Sequence, residues 1–95
     1  MDILIKKLEK KLLLERIDEF IGILAGEPHE YWTSDHFTKE LPLKFDLSIV
    51  AFAESRIAGY IIASMKETGP YIHKFMVHPE FRNLSIGGKM LGFFE

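Results

Sequence analysis

The chain is 95 residues long, 47% hydrophobic and 27% charged, which is enough for one small globular domain and too little for two. It has no cysteine, which excludes disulfides, a thiolate nucleophile and a Cys-ligated zinc. With 12 Lys+Arg against 14 Asp+Glu the net charge is −2, which argues against bulk electrostatic binding to nucleic acid or an anionic membrane.

The first segment, Asp2 to Leu8, fits two patterns. Ile3 and Ile5 alternate with Leu4 and Lys6 as in a short strand, while Leu4, Leu8 and Leu12 suit a helix. Next, Leu13, Ile17, Phe20 and Leu24 form an apolar helical stripe, with Glu15, Arg16, Asp18 and Glu19 on the other side. Gly26 and Pro28 are expected to stop that helix. Ser34-Asp35 can cap a short helix running through Leu41, with Pro42 ending it. Leu47 to Ala53 alternates as a strand, Glu54-Ser55-Arg56 reads as a hairpin loop, and Ile57 to Met65 as a second strand. Thr68-Gly69-Pro70 signals a turn. Tyr71 to Val77 then forms a third run that alternates less cleanly and stops at Pro79. After Ser85, the spacing of Ile86, Met90 and Phe93 predicts a further helix. The predicted order is β-α-α-β-β-β-α, an α/β (α+β mixed sheet) domain. Every apolar run is far shorter than the about 18 residues of a membrane span. The N-terminal Met-Asp-Ile-Leu-Ile-Lys-Lys is no signal peptide, so the expected compartment is the cytoplasm.

Chemistry concentrates between Met76 and Leu91. A strand ends at Pro79, a basic turn follows, and a helix begins with Gly87-Gly88 in its first turn. Such a start offers unpartnered N–H groups and partial positive charge, and glycines let a phosphate approach. Arg82 adds a planar donor fork. Ser85 caps the helix if its backbone is extended and adds strain if it is left-handed. Other candidates carry less. His29-Glu30 begins like a zinc-protease helix, but Thr33 stands where the second His is needed, and His29 and His36 have no third ligand nearby, so no metal site is expected. Glu27, Glu30 and Asp35 read as a solvated acidic loop. Trp32, Phe37 and Phe45 read as core.

The run Val77-His78-Pro79-Glu80-Phe81-Arg82-Asn83-Leu84-Ser85-Ile86-Gly87 resembles the acyl-CoA-binding motif of the GNAT family of N-acetyltransferases. Arg82 takes the leading basic position, Gly87 the final glycine, and Ser85 stands in place of the first glycine. The hairpin Leu47 to Ala53 and Ile57 to Ile62 is similar to that family's second and third strands. The resemblance implies a single N-acetyltransferase-like domain over residues 1–95, corresponding to the first two-thirds of the family fold and truncated within the helix after the fourth strand. It implies acetyl-CoA as acyl donor, held by Phe75, Met76 and Val77 along the pantetheine arm. Arg82, Asn83, Leu84, Ser85, Ile86, Gly87 and Gly88 would hold the pyrophosphate. A carbonyl-polarising N–H is expected near Met76. It also implies direct attack by a primary amine, with the acceptor left open, and gives Glu27, Glu30 and Asp35 a place near that amine as the alternative to a solvated loop. Where some members carry a glutamate base, Tyr71 stands; His73, two residues on, is the candidate base. The alternative is a non-catalytic half-domain that self-associates as a homodimer through its exposed fourth strand.

Overall fold

A computed structural model describes residues 3–25 and 34–94. Among these residues, four strands and five helices follow in the order β1 (Ile3–Lys7), α1 (Lys10–Glu15), α2 (Ile17–Ala25), α3 (Ser34–Thr38), α4 (Lys44–Leu47), β2 (Ile49–Ala53), β3 (Arg56–Lys66), β4 (Gly69–Val77) and α5 (Ile86–Phe94). A 3-10 segment, Pro79–Leu84, joins β4 to α5. The sheet order is β1-β2-β3-β4, and each of the three pairings is antiparallel.

The ambiguity at the N-terminus resolves as a strand. Ile3 and Ile5 turn toward the α5 side of the sheet, while Leu4 is 58% exposed. The period of two wins because β2 is there to take the hydrogen bonds. The helical stripe is real, but the helix is two pieces. Arg16 leaves helical geometry (φ −120°, ψ 26°). Its guanidinium bonds Glu19 at 2.7 and 2.8 Å and the Ser55 carbonyl at 3.0 Å. Leu13, Phe20 and Leu24 stay on one buried face across the break. The expected stop at Gly26 and Pro28 lies outside the described residues.

The expected helix from Ser34 to Leu41 ends at Thr38, and an unexpected one, α4, follows. Lys44 explains the early stop. It is 2% exposed, and its Nζ donates to the carbonyls of Phe37 and Lys39 (2.9 Å for the latter), ending α3 with a cation. Burial pushes the Lys44 pKa down, against a smaller upward pull from Glu40. Leu43 is left-handed (φ 54°) and turns the chain into α4, so β2 begins at Ile49 rather than at Leu47.

α1, α2 and α3 cover one face of the sheet, where Phe20, Phe37 and Tyr60 meet ring to ring with centroids 4.9–6.1 Å apart. The Tyr60 hydroxyl donates to the Phe20 carbonyl at 3.0 Å. α5 covers the other face through Ile86 and Met90. β3 lies between these layers, and Ile57 to Ser64 are buried without interruption. Two places on the β2 side of β3 lack a strand partner and are closed differently. The Ser48 hydroxyl accepts from the Ala63 N–H at 3.0 Å and donates to the Ala63 carbonyl at 3.2 Å, and the Met65 N–H reaches the Pro42 carbonyl at 2.9 Å.

The uneven alternation in the third strand run has a cause. Ile62 faces Lys74 and Ala63 faces Ile72, so His73 is an extra residue, a β-bulge. Ile72, Phe75 and Val77 therefore all pack toward α5 despite the three-residue step between the first two.

Candidate donor and acceptor site

The end of β4, the 3-10 segment and the start of α5 converge at one end of the sheet. The His78 amide donates to the Ala58 carbonyl at 2.7 Å, so Gly59 and Val77 form a non-hydrogen-bonded pair. By alternation Met76 bonds Tyr60, and the N–H and C=O of Phe75 face away from β3. Met76 is thus turned inward, with its side chain 6% exposed in the core. Phe75, like Val77 by the same alternation, turns its backbone to the outer side of β4, where the described residues place no further strand.

α5 is seated over this strand end. A Cβ on Gly87 would touch the Phe75 ring at 3.4 Å and Val77 at 3.7 Å. A Cβ on Gly88 would meet nothing within 4 Å, so that side of the helix start is open. The Lys89 amide bonds the Ser85 carbonyl at 3.1 Å, as the helical pattern requires. The N–H groups of Ile86, Gly87 and Gly88 precede that bond and have no partner within the helix. They form a positive end directed at the loop.

Ser85 is left-handed (φ 57°, ψ 27°), which settles the two options left by the sequence. It is a strained link between the 3-10 segment and α5, not an extended N-cap. A glycine adopts this conformation without the clash between Cβ and carbonyl. Ser85→Gly is therefore expected to stabilise the chain by about 1 kcal/mol. The urea midpoint reads this directly, and a lower midpoint would show that the hydroxyl contributes more than the strain costs. For Arg82, Asn83 and Leu84 only the backbone is described, within the 3-10 segment.

The loop is fixed from both sides. Arg56 pairs with Glu80 at 2.8 Å and lies over the Phe81 ring at 5.1 Å. The Glu80 amide donates to His78 Nδ1 at 3.1 Å. Arg56 holds the Glu80 carboxyl below its ordinary pKa. With its charge countered there, Glu80 does little to repel an anion at the neighbouring helix start.

His73 stands further back on β4, on the opposite face from α5. Its Nε2 lies 2.7 Å from Ser64 Oγ, and its ring meets Tyr71 edge-on at 4.9 Å. Burial holds its pKa below the ordinary value, with further lowering from Lys66, Lys44 and Lys39. The imidazole is therefore neutral at neutral pH, the form a base must have. The shift has a stability consequence. The folded chain binds this proton less readily than the unfolded one, so stability rises with pH up to about 6.5 and falls as pH drops through the depressed folded value. The lowered carboxyls of Glu40 and Glu80 act in the same direction but below about pH 4.5, in a separate window. Urea midpoints between about pH 5 and 7 should therefore slope upward, and His73→Gln should flatten the slope. An unchanged slope in that variant would rule out His73 as its source.

Sequence reasoning missed Ser64 and Lys44. Ser64 carries no local signal, because its role depends on the bulge that brings His73 back across the strand pair. Lys44 was passed over because lysine is rarely buried. Glu27, His29, Glu30 and Trp32 lie outside the described residues. Phe37 is in the core, as read, and Asp35 is exposed.

The family model described as "Acetyltransferase (GNAT) family" matches residues 14–95. No curated protein matches the chain in sequence. Among solved structures, the ribosomal-protein-S18-alanine N-acetyltransferase of Escherichia coli superposes with a TM-score of 0.79 at 15% identity, over 97% of this chain and 56% of that one. Ard1 from Thermoplasma volcanium gives 0.78 at 19% identity, over 99% and 62%. Diaminobutyrate acetyltransferase EctA from Paenibacillus lautus, solved with its substrate and coenzyme A, gives 0.75 at 17% identity, over 98% and 56%. At these identities the likeness is one of fold, and the chain spans 56–62% of the length of these three proteins.

Proposed function

The chain belongs to the acetyltransferase (GNAT) family, and on that premise we propose that it binds acetyl-CoA and serves acetyl transfer to a primary amine. The observation that carries this reading is the outward-facing Phe75 backbone on β4, which leads through left-handed Ser85 to a helix start that is open on its Gly88 side. An extended pantetheine amide matches the Phe75 N–H and C=O as a strand would. A pyrophosphate matches the Ile86, Gly87 and Gly88 N–H groups, and Arg82, in the 3-10 segment before them, is the cation assigned to it. Val77 continues the wall that Phe75 begins. Met76 supports the edge from within. Asn83 and Leu84 shape the loop.

The amine attacks the thioester carbonyl directly, so the protein supplies alignment and a route for the proton. His73 is the base in this reading. The cytoplasm is the setting in which acetyl-CoA is at hand; among the described residues no helix is long and apolar enough to cross a membrane.

Calorimetric titration of acetyl-CoA into the chain tests the donor site. Binding is expected, weakened about tenfold by Arg82→Glu and weakened by removing the cofactor's phosphates. Heat no greater than that of dilution at millimolar cofactor would end the proposal.

A second reading is a non-catalytic half-domain that pairs with its own copy through β4. The outer side of β4, together with Leu91 and Phe93 (37% and 49% exposed) on α5, favours it. A dimer mass in sedimentation that persists at micromolar concentration, without cofactor binding, would select it over the first.

A further inference from the structure

We propose that the recess between the Leu41–Pro42 turn and the β3–β4 turn takes an apolar side group of the acceptor amine, and that the Ser64 hydroxyl passes the amine's proton to His73. This deepens the acetyl-transfer reading above and rests on it.

The recess has a volume of about 560 Å³. That suits one small-molecule group. Leu41, Pro42 and Met65 give it an apolar wall, and Lys66 and Glu67 bring one charge of each sign. A polyamine entering here would meet a single carboxylate for its several ammonium groups, and Lys66 would repel it. An apolar group loses nothing to either charge and gains by leaving water.

Ser64 also lines the recess, although it is only 1% exposed. Its hydroxyl is bonded to His73 Nε2 at 2.7 Å, so it stands between the recess and the imidazole. The acceptor arrives as an ammonium ion. One of its protons moves to Ser64 Oγ as the hydroxyl's own proton moves to Nε2, leaving a neutral amine and an imidazolium. The amine's lone pair then forms the C–N bond with the thioester carbonyl carbon, and the C–S bond breaks. The nitrogen's surplus proton leaves with the thiolate as the thiol of coenzyme A. His73 returns its proton to water.

Leucinamide and spermidine are the probes, titrated separately into the isotope-labelled chain while the backbone amides of Ser64, Met65 and Thr68 are followed. Leucinamide is expected to shift these amides and to bind about tenfold more tightly than spermidine. Leu41→Glu is expected to reverse that preference. Spermidine shifting the same amides equally well, or leucinamide leaving them unmoved, would overturn the apolar assignment. In the same samples coenzyme A is read at the amides of Phe75 and Gly88. If those stay still, the donor reading fails while the recess is judged by its own amides. For the relay, Ser64→Ala is expected to lower kcat for leucinamide about 100-fold with its KM unchanged, and to remove the acidic limb of the pH profile. Ser64→Thr, which keeps the hydroxyl, should restore both. An unaltered kcat in Ser64→Ala would overturn the relay.

Discussion

Ser48→Ala is expected to lower the unfolding free energy by about 2–3 kcal/mol. Ser48 is fully buried, and its one hydroxyl serves both the N–H and the C=O of Ala63. At this point β3 has run past the start of β2, because Leu47 belongs to α4 and not to the strand. The side chain stands in for the missing ladder residue. Alanine leaves two buried backbone groups unpaired, each with its own desolvation cost. For a domain of this size the loss corresponds to a fall of roughly 10 °C or more in Tm. Ser48→Thr, which keeps the oxygen, should lose much less. A thermal melt of both variants decides the matter, and equal midpoints for Ser48→Ala and the parent would mean that the Ala63 groups find other partners.

Gly59→Ala is expected to cost about 1–3 kcal/mol and to weaken the donor site as well. A Cβ at Gly59 would lie 2.7 Å from the Met76 carbonyl oxygen and 2.9 Å from the Met90 Cε. The methionine tip can swing aside, but the carbonyl is held in the β3–β4 ladder. The strain must therefore separate β3 from β4 or lift α5, and both carry backbone that the proposed function assigns to the donor. Urea unfolding gives the first effect and calorimetry with acetyl-CoA the second. Lost stability with unchanged cofactor affinity would show that the distortion does not reach Phe75.

The order of strands, the hairpins and the final helix could be read from the sequence because each rests on a local signal. Ile49 to Ala53 and Ile57 to Met65 alternate or run apolar between turn residues, and Ile86, Met90 and Phe93 keep a helical period. The motif around Arg82 and Gly87 could be read for the same reason. What stayed hidden depends on distant partners. The bulge at His73 exists because β3 and β4 must pair on both sides of it. The break at Arg16 is held by the Ser55 carbonyl, 39 residues away. Helix α4 follows from a left-handed Leu43, a conformation leucine seldom adopts and no local pattern announces. At Ser85 the family resemblance marked the position, while the residue itself argued for another conformation.

The buried Lys44 also gives the molecule a built-in marker of its own opening. The chain has eight other lysines, and in the folded state none of them is sealed from solvent as Lys44 is. An amine-reactive reagent such as acetic anhydride should label those eight at once. It should reach Lys44 only when α3 lets go of the ammonium and the turn around it opens. The rate of Lys44 labelling, read by peptide mass, therefore times the fluctuation that exposes the wall of the Leu41–Pro42 recess. Under the acetyl-transfer reading proposed above, the same burial also shields this lysine from the acyl donor.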